Sequence, residues 1–143
     1  MRITAILTLL VSSVVTLAVV PRTNTCFNPS EGACMGYHAD TANATLAITN
    51  ACNQVKSCTP GQTDYNRRRY RGIVKGFPYT AVLYVGDQCA GVTNWSTDAC
   101  IALFNEFVDD RCDQQYSIPA DKYQLGYITA PCDNSFVSFN FGG

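Results

Sequence analysis

Eight cysteines, spread from Cys26 to Cys132, constrain what this chain can fold into more than any other feature of it. All of them follow an N-terminal segment with the marks of an export signal. That segment has one early positive charge at Arg2, an apolar run from Ile3 to Val20 interrupted by Thr and Ser, and the small-residue pattern Thr16-Leu17-Ala18 that export peptidases accept. The expected cut follows Ala18 and leaves residues 19–143 as a single secreted domain. The apolar run is at the short end for a bilayer span of roughly 20 residues, and Pro21 and Cys26 follow at once, so it reads as a leader rather than an anchor. Exported cysteines mature in an oxidising compartment, where an even count implies pairing. Zinc is the competing use, but the chain has no C-x-x-C pair and His38 is its one imidazole, so neither metal nor cofactor is expected.

A domain of this size buries a modest core and gains much from crosslinks. Four disulfides at roughly 2 to 4 kcal/mol each would match the whole stability of a typical domain. Removing Arg2 from the ten Lys and Arg leaves nine, against eleven Asp and Glu, so the exported chain is close to neutral and slightly acidic. That balance argues against bulk binding to nucleic acid or to anionic membrane.

The strongest periodic signal is helical and runs from about Thr97 to Cys112. Ser96 or Thr97 can cap it, Asp98 suits its first turn, and Cys100, Leu103, Phe104, Phe107 and Val108 recur at helical spacing. A weaker helical pattern covers about Thr41 to Val55, with Leu46, Ile48, Cys52 and Val55 on one face. Strand-period segments are Tyr79 to Val85, Lys122 to Ala130 and Ser135 to Phe141. The first sets Ala81, Leu83 and Val85 opposite Val82 and Tyr84. The second sets Tyr123, Leu125 and Tyr127 on one face, and the third sets Val137, Phe139 and Phe141 on one face. Pro131 to Asn134 should form a hairpin turn. Strands bracketing helices in this order predict an α+β fold: an antiparallel sheet with two helices packed on one face, stabilised by disulfides.

The cysteine frame resembles that of the killer-protein-four family of small secreted fungal toxins. The resemblance rests on Cys26 and Cys34, on Cys52 and Cys58 followed by Thr59-Pro60-Gly61 and a basic run, on a strand ending before Cys89, and on Cys100 and Cys112 flanking an amphipathic helix. It implies an α/β sandwich and the pairs Cys26–Cys112, Cys52–Cys100 and Cys58–Cys89. The family carries further cysteines near positions matching Gly72 and Gln115, which are absent here; that orphans Cys34 and Cys132 together and suggests the pair Cys34–Cys132. The chain also continues past the family's usual end through Phe141, which puts an added edge strand or a different partner surface in play.

The densest charge feature is Arg67-Arg68-Arg69-Tyr70-Arg71, with Lys75 nearby and Tyr65 and Tyr70 available for stacking. The resemblance implies a toxin or effector that inhibits calcium transport or growth of competing or host cells, with this basic loop docking on a membrane transport protein or another surface target. No lysine falls on the position of the family's key lysine, so that activity does not transfer automatically. A second reading is a solvated loop whose arginines contact carboxylates such as Asp64, and a third is a proteolytic processing site. An interaction or inhibitor protein on the same scaffold is the alternative function.

An enzyme is not expected. His38 lacks a nucleophile partner, and Asp109, Asp110 and Asp113 with Glu106 read as a solvated helix end rather than a paired-carboxylate hydrolase site. Trp95 reads as a core plug rather than part of a sugar-binding surface. Asn43-Ala44-Thr45 and Asn94-Trp95-Ser96 are glycosylation acceptors, of which Asn43 is the one expected to be modified. The exported protein is expected to be a monomer.

Overall fold

The computed structural model describes residues 24–62, 68–106, 112 and 115–142. Its elements run β1 (Gly32–Asp40), α1 (Thr41–Cys52), β2 (Tyr70–Gly72), β3 (Tyr79–Tyr84), α2 (Thr97–Leu103), β4 (Lys122–Thr129) and β5 (Phe136–Phe141). The strands form one sheet in the order β1-β4-β5-β3-β2, with every neighbouring pair antiparallel. Helix α1 lies across β2 and β3, and α2 packs against α1. This is the disulfide-stabilised α+β architecture that the alternation of helical and strand periods implies. The proposed leader falls outside the described residues, as do Phe107 and Val108. Helix α2 is shorter than the expected Thr97–Cys112: it ends at Leu103, and the Phe104, Asn105 and Glu106 N–H groups donate to carbonyls three residues back, closing turns rather than a further α-helical stretch. No described helix is long and apolar enough to cross a membrane.

Helix α1 starts at Asp40, whose carboxylate accepts the Asn43 N–H at 2.9 Å and satisfies one of the free donors of the first turn. Its buried positions are Ala44, Ala47, Ile48, Ala51 and Cys52, a run at i, i+3, i+4, i+7 and i+8. The sequence reading gave Leu46 and Val55 to this face. Instead Leu46 is 48% exposed and the helix ends at Cys52, short of Val55. Alanines win the inner face because the helix lies against backbone. A Cβ added at Gly72 of β2 would sit 1.7 Å from the Ala47 carbonyl oxygen and 2.6 Å from the Ala51 nitrogen. Helix α2 is capped by Ser96, whose Oγ accepts the Ala99 N–H at 3.0 Å, and it buries Cys100 and Leu103. The Cys52–Cys100 bond joins the two buried helix faces.

The sheet side of the core consists of Ala81 and Leu83 of β3, Val137 and Phe139 of β5, and Leu125 and Ile128 of β4, all fully buried. Strand β5, the tail that the resemblance suggested as an added edge strand, is the central strand of the sheet, paired on one side with β4 and on the other with β3. Tyr127 also departs from expectation. It is 38% exposed while Ile128 is buried, because Ile128 pairs with Val137 and Tyr127 with Ser138.

The edge strands carry no clear alternation, and neither was foreseen. Strand β1 pairs with β4 through a register shift between Cys34 and His38 that breaks the two-residue period. Strand β2 is three residues long. Gln54, just past the end of α1, donates its Nε2 to the Arg71 carbonyl of β2 at 2.7 Å, and Asn50 of α1 donates its Nδ2 to the carbonyl of Ile73, just past β2, at 3.0 Å.

The disulfides are Cys26–Cys132, Cys34–Cys112, Cys52–Cys100 and Cys58–Cys89. The two inner pairs are those the resemblance implies. The outer two correct it, since Cys26 bonds Cys132 rather than Cys112 and Cys34 bonds Cys112 rather than Cys132. Register explains the correction. Cys34 lies beside Gly126 of β4, whereas Cys132 sits in the β4–β5 turn, six residues further along. Strand β4 runs three residues past Gly126 before that turn begins, about 10 Å at ~3.3 Å per residue, which already exceeds the ~7 Å a disulfide tolerates between Cα atoms. Cys26 meets the turn instead, with its sulfur 4.0 Å from Asp133 Oδ1. The four bonds are fully nested.

Candidate functional site

Strand geometry sorts the basic segment by face. Tyr70 is half-buried against the core, so alternation turns Arg69 and Arg71 toward the opposite side of the sheet. There the Arg69 guanidinium lies 5.0 Å from the centroid of the Phe136 ring. Phe136 pairs across the strands with Tyr84 and packs at 6.2 Å against Tyr127, so Arg69 caps an aromatic patch on the sheet face turned away from α1. Arg68 lies 5.4 Å from the Tyr70 ring centroid. Both contacts are within the range where a cation is attracted to a ring face, worth roughly 0.5 to 1 kcal/mol each at exposed sites. Each contact biases an exposed guanidinium toward an aromatic ring while leaving its donors at the surface.

The basic residues do not form one knob. Lys75 lies in the turn between β2 and β3, at the far end of β2 from Arg69. With three strand residues between them at ~3.3 Å each, the two ends of the strand are separated by about 10 Å, on the order of the screening length at physiological salt. The structure places Arg69 and Arg71 on one side of the sheet, Arg68 beside Tyr70 on the other, and Lys75 in the turn beyond β2. Arg67, Tyr65 and Asp64 lie outside the described residues. The aromatic partners Phe136, Tyr84 and Tyr127 were missed as site residues. For Tyr84 and Phe136 the available signal was parity opposite the buried residues of their strands; Tyr127 gave none, since alternation set it with Leu125.

A second polar centre surrounds Asp133 in the β4–β5 turn. Its Oδ2 accepts the Gln88 and Ala90 N–H groups at 3.1 and 3.0 Å, and its Oδ1 accepts the Ser135 N–H at 2.9 Å. Cys89 and Ala90 have φ of 52 and 53°, a left-handed turn in which the alternate Gln88 and Ala90 N–H groups form an anion-binding concavity while the Cys89 N–H donates to the Gly86 carbonyl at 3.1 Å. The protein fills that concavity with its own carboxylate. Asp133 also approaches Cys26 and Cys132, but both sulfurs are consumed in their mutual bond, so this grouping offers no thiolate ligands for a metal.

The phenol of Tyr123 donates to the Phe104 carbonyl at 2.8 Å, and Asn105 Oδ1 lies 3.3 Å away. Burial of this hydroxyl pushes its pKa well above the ordinary value of 10.0. Its ring packs edge-on against Phe139 at 5.2 Å. Trp95 packs against the core with its indole N–H donated to the Val55 carbonyl at 3.2 Å, tying the segment after α1 to the start of α2. His38 is exposed on β1. Asp109, Asp110 and Asp113 lie outside the described residues. Asn43 and Thr45 are exposed on α1. Asn94 is exposed in the bend before α2, beside an open cleft of about 310 Å³. Comparison with protein-family models, with curated proteins and with solved structures finds no match to this chain.

Proposed function

We propose that this protein is secreted and acts by binding, as a killer-toxin-like protein or effector. In this reading it docks Arg69 and Arg71, with Arg68 at their edge, on an anionic surface of a membrane transport protein, or of another surface target, on a competing or host cell. Growth inhibition or interference with calcium transport is the expected consequence. The observation that carries the reading is the placement of Arg69 over Phe136 at 5.0 Å with Arg71 on the same side of the sheet, in a protein whose overall charge is −1. A local cationic surface on a neutral body steers a partner and fixes its orientation without attracting polyanions in bulk. Four disulfides and the apolar leader support an extracellular setting.

The test replaces Arg67, Arg68, Arg69 and Arg71 by Ser and measures growth inhibition of fungal cells and plant seedlings, with and without added calcium. Activity should be lost with little change in melting, because exposed charges typically alter stability by less than about 0.5 kcal/mol. Wild-type activity should weaken as salt rises. A variant that folds and inhibits as well as the wild type would move the functional surface elsewhere on the protein.

A further inference from the structure

The nested disulfides share a property that the basic segment makes consequential. Each bond joins a cysteine at or before Cys58 to one at or after Cys89, and neither half of the chain contains a bond of its own. A single break anywhere between Cys58 and Cys89 therefore yields two chains joined by four covalent links. The halves are also interleaved in the fold. β1 and α1 belong to the first, yet β1 pairs only with β4 of the second, and α1 lies on β2 and β3 of the second. Cutting this window removes neither a link nor a core layer.

Within the window, the pair Arg68-Arg69 is exposed and lies outside any helix or strand. Tyr70, the residue after it, opens the three-residue strand β2, which among the described residues has a strand partner on one side only. Seating the segment in a protease cleft requires Arg69 to leave the Phe136 ring and the start of β2 to part from β3 and from Gln54, an opening confined to one short edge element. Disulfide nesting, an exposed basic pair and a short edge strand coincide at one position.

We propose that the exported chain is a precursor cleaved on the carboxyl side of Arg69 by a basic-pair-specific endopeptidase, giving a two-chain protein. The protease catalyses addition of one water across the Arg69–Tyr70 peptide bond. The carbonyl carbon takes the hydroxyl and becomes the carboxylate of Arg69, and the nitrogen becomes the new amino terminus at Tyr70. No redox change accompanies the step, and the disulfides are untouched. The inference does not depend on what the arginines bind, and its failure would leave the docking reading standing.

The experiment expresses the full chain for secretion in a eukaryotic host that carries such an endopeptidase, and compares intact masses before and after reduction. The expected unreduced protein is one species, heavier by one water than the uncut chain, and reduction splits it into a chain ending at Arg69 and a chain starting at Tyr70. Arg68→Lys with Arg69→Lys keeps a basic pair and should still be cut, whereas Arg68→Ser with Arg69→Ser should stay a single chain. The Lys variant and the wild-type fragment map carry the test even if the Ser variant secretes poorly. A wild-type protein that remains one chain after reduction, a first cut at another position, or halves that separate without reductant would overturn the proposal.

Discussion

Replacing Gly72 by Ala isolates the most exacting contact in the fold. The added Cβ would lie 1.7 Å from the Ala47 carbonyl oxygen and 2.8 Å from its carbon. Ordinary contact begins near 3.4 Å, so α1 and β2 must part by more than 1 Å. Neither element can yield cheaply. The obstructing atoms are backbone, α1 is bonded to α2 through Cys52–Cys100, and Gln54 and Asn50 tie it to the backbone of β2 and the residue just after it. Overpacking that flexible side chains absorb costs roughly 1 to 3 kcal/mol, and here the cost should reach or pass the top of that range, about 3 kcal/mol. For a domain of this size about 1 kcal/mol shifts the melting temperature by roughly 3 to 6 °C, so a fall of ~10 °C or more is expected. The control is Gly76→Ala. Gly76 has φ of 78° with no atom within 4 Å of the added Cβ, so the strain there is conformational alone. That strain is worth about 1 to 2 kcal/mol. Thermal unfolding followed by circular dichroism, with disulfides intact, separates the two. Gly72→Ala melting within a few degrees of wild type, or no lower than Gly76→Ala, would show that α1 does not rest on the β2 backbone.

Asp133→Ala should destabilise the protein by roughly 2 to 4 kcal/mol, because three backbone N–H groups lose one charged acceptor, and chemical denaturation reads the change directly. Amide exchange should quicken first at Gln88 and Ala90; unchanged protection there would remove the carboxylate's clamping role. Tyr123→Phe tests the buried phenol through pH. The folded pKa is raised above the unfolded value near 10, so the neutral form's stabilising effect is complete below pH 10 and is lost as pH climbs toward the folded pKa. Wild-type stability should therefore fall above pH 10 by up to ~1.4 kcal/mol per pH unit more steeply than that of the Phe variant. Parallel alkaline profiles for the two proteins would refute burial of that hydroxyl.

The sequence was legible where one period dominated. Strand β3 reads as alternating Ala81, Leu83 and Val85 against Val82 and Tyr84, and those two sets divide into buried and half-buried residues. The start of α2 was visible because Ser96 caps an apolar repeat. Strand β1 was hidden because its sequence, Gly-Ala-Cys-Met-Gly-Tyr-His-Ala-Asp, carries a register shift that destroys alternation. The inner face of α1 was misjudged because hydrophobicity favours Leu46, while proximity to backbone favours Ala47 and Ala51. The outer disulfides depended on the register of β1 against β4, a long-range property with no local signature. The basic segment was conspicuous from its charge, but its division into Arg69 over Phe136, Arg68 over Tyr70 and a separate Lys75 required the hairpin register.

The treatment of the sheet's two borders limits how a partner can bind. A peptide that joins a sheet as an added strand needs a straight row of unengaged donors and acceptors. Along β1 that row is interrupted by the irregular stretch between Cys34 and His38, and along β2 the carbonyls of Arg71 and Ile73 already receive amide hydrogens from Gln54 and Asn50. Interrupted or occupied borders also discourage edge-to-edge association between copies. Recognition by strand addition is thereby disfavoured at both borders. Changing Gln54 and Asn50 to apolar residues of similar size would expose the β2 border and create a route to assembly that the natural sequence suppresses.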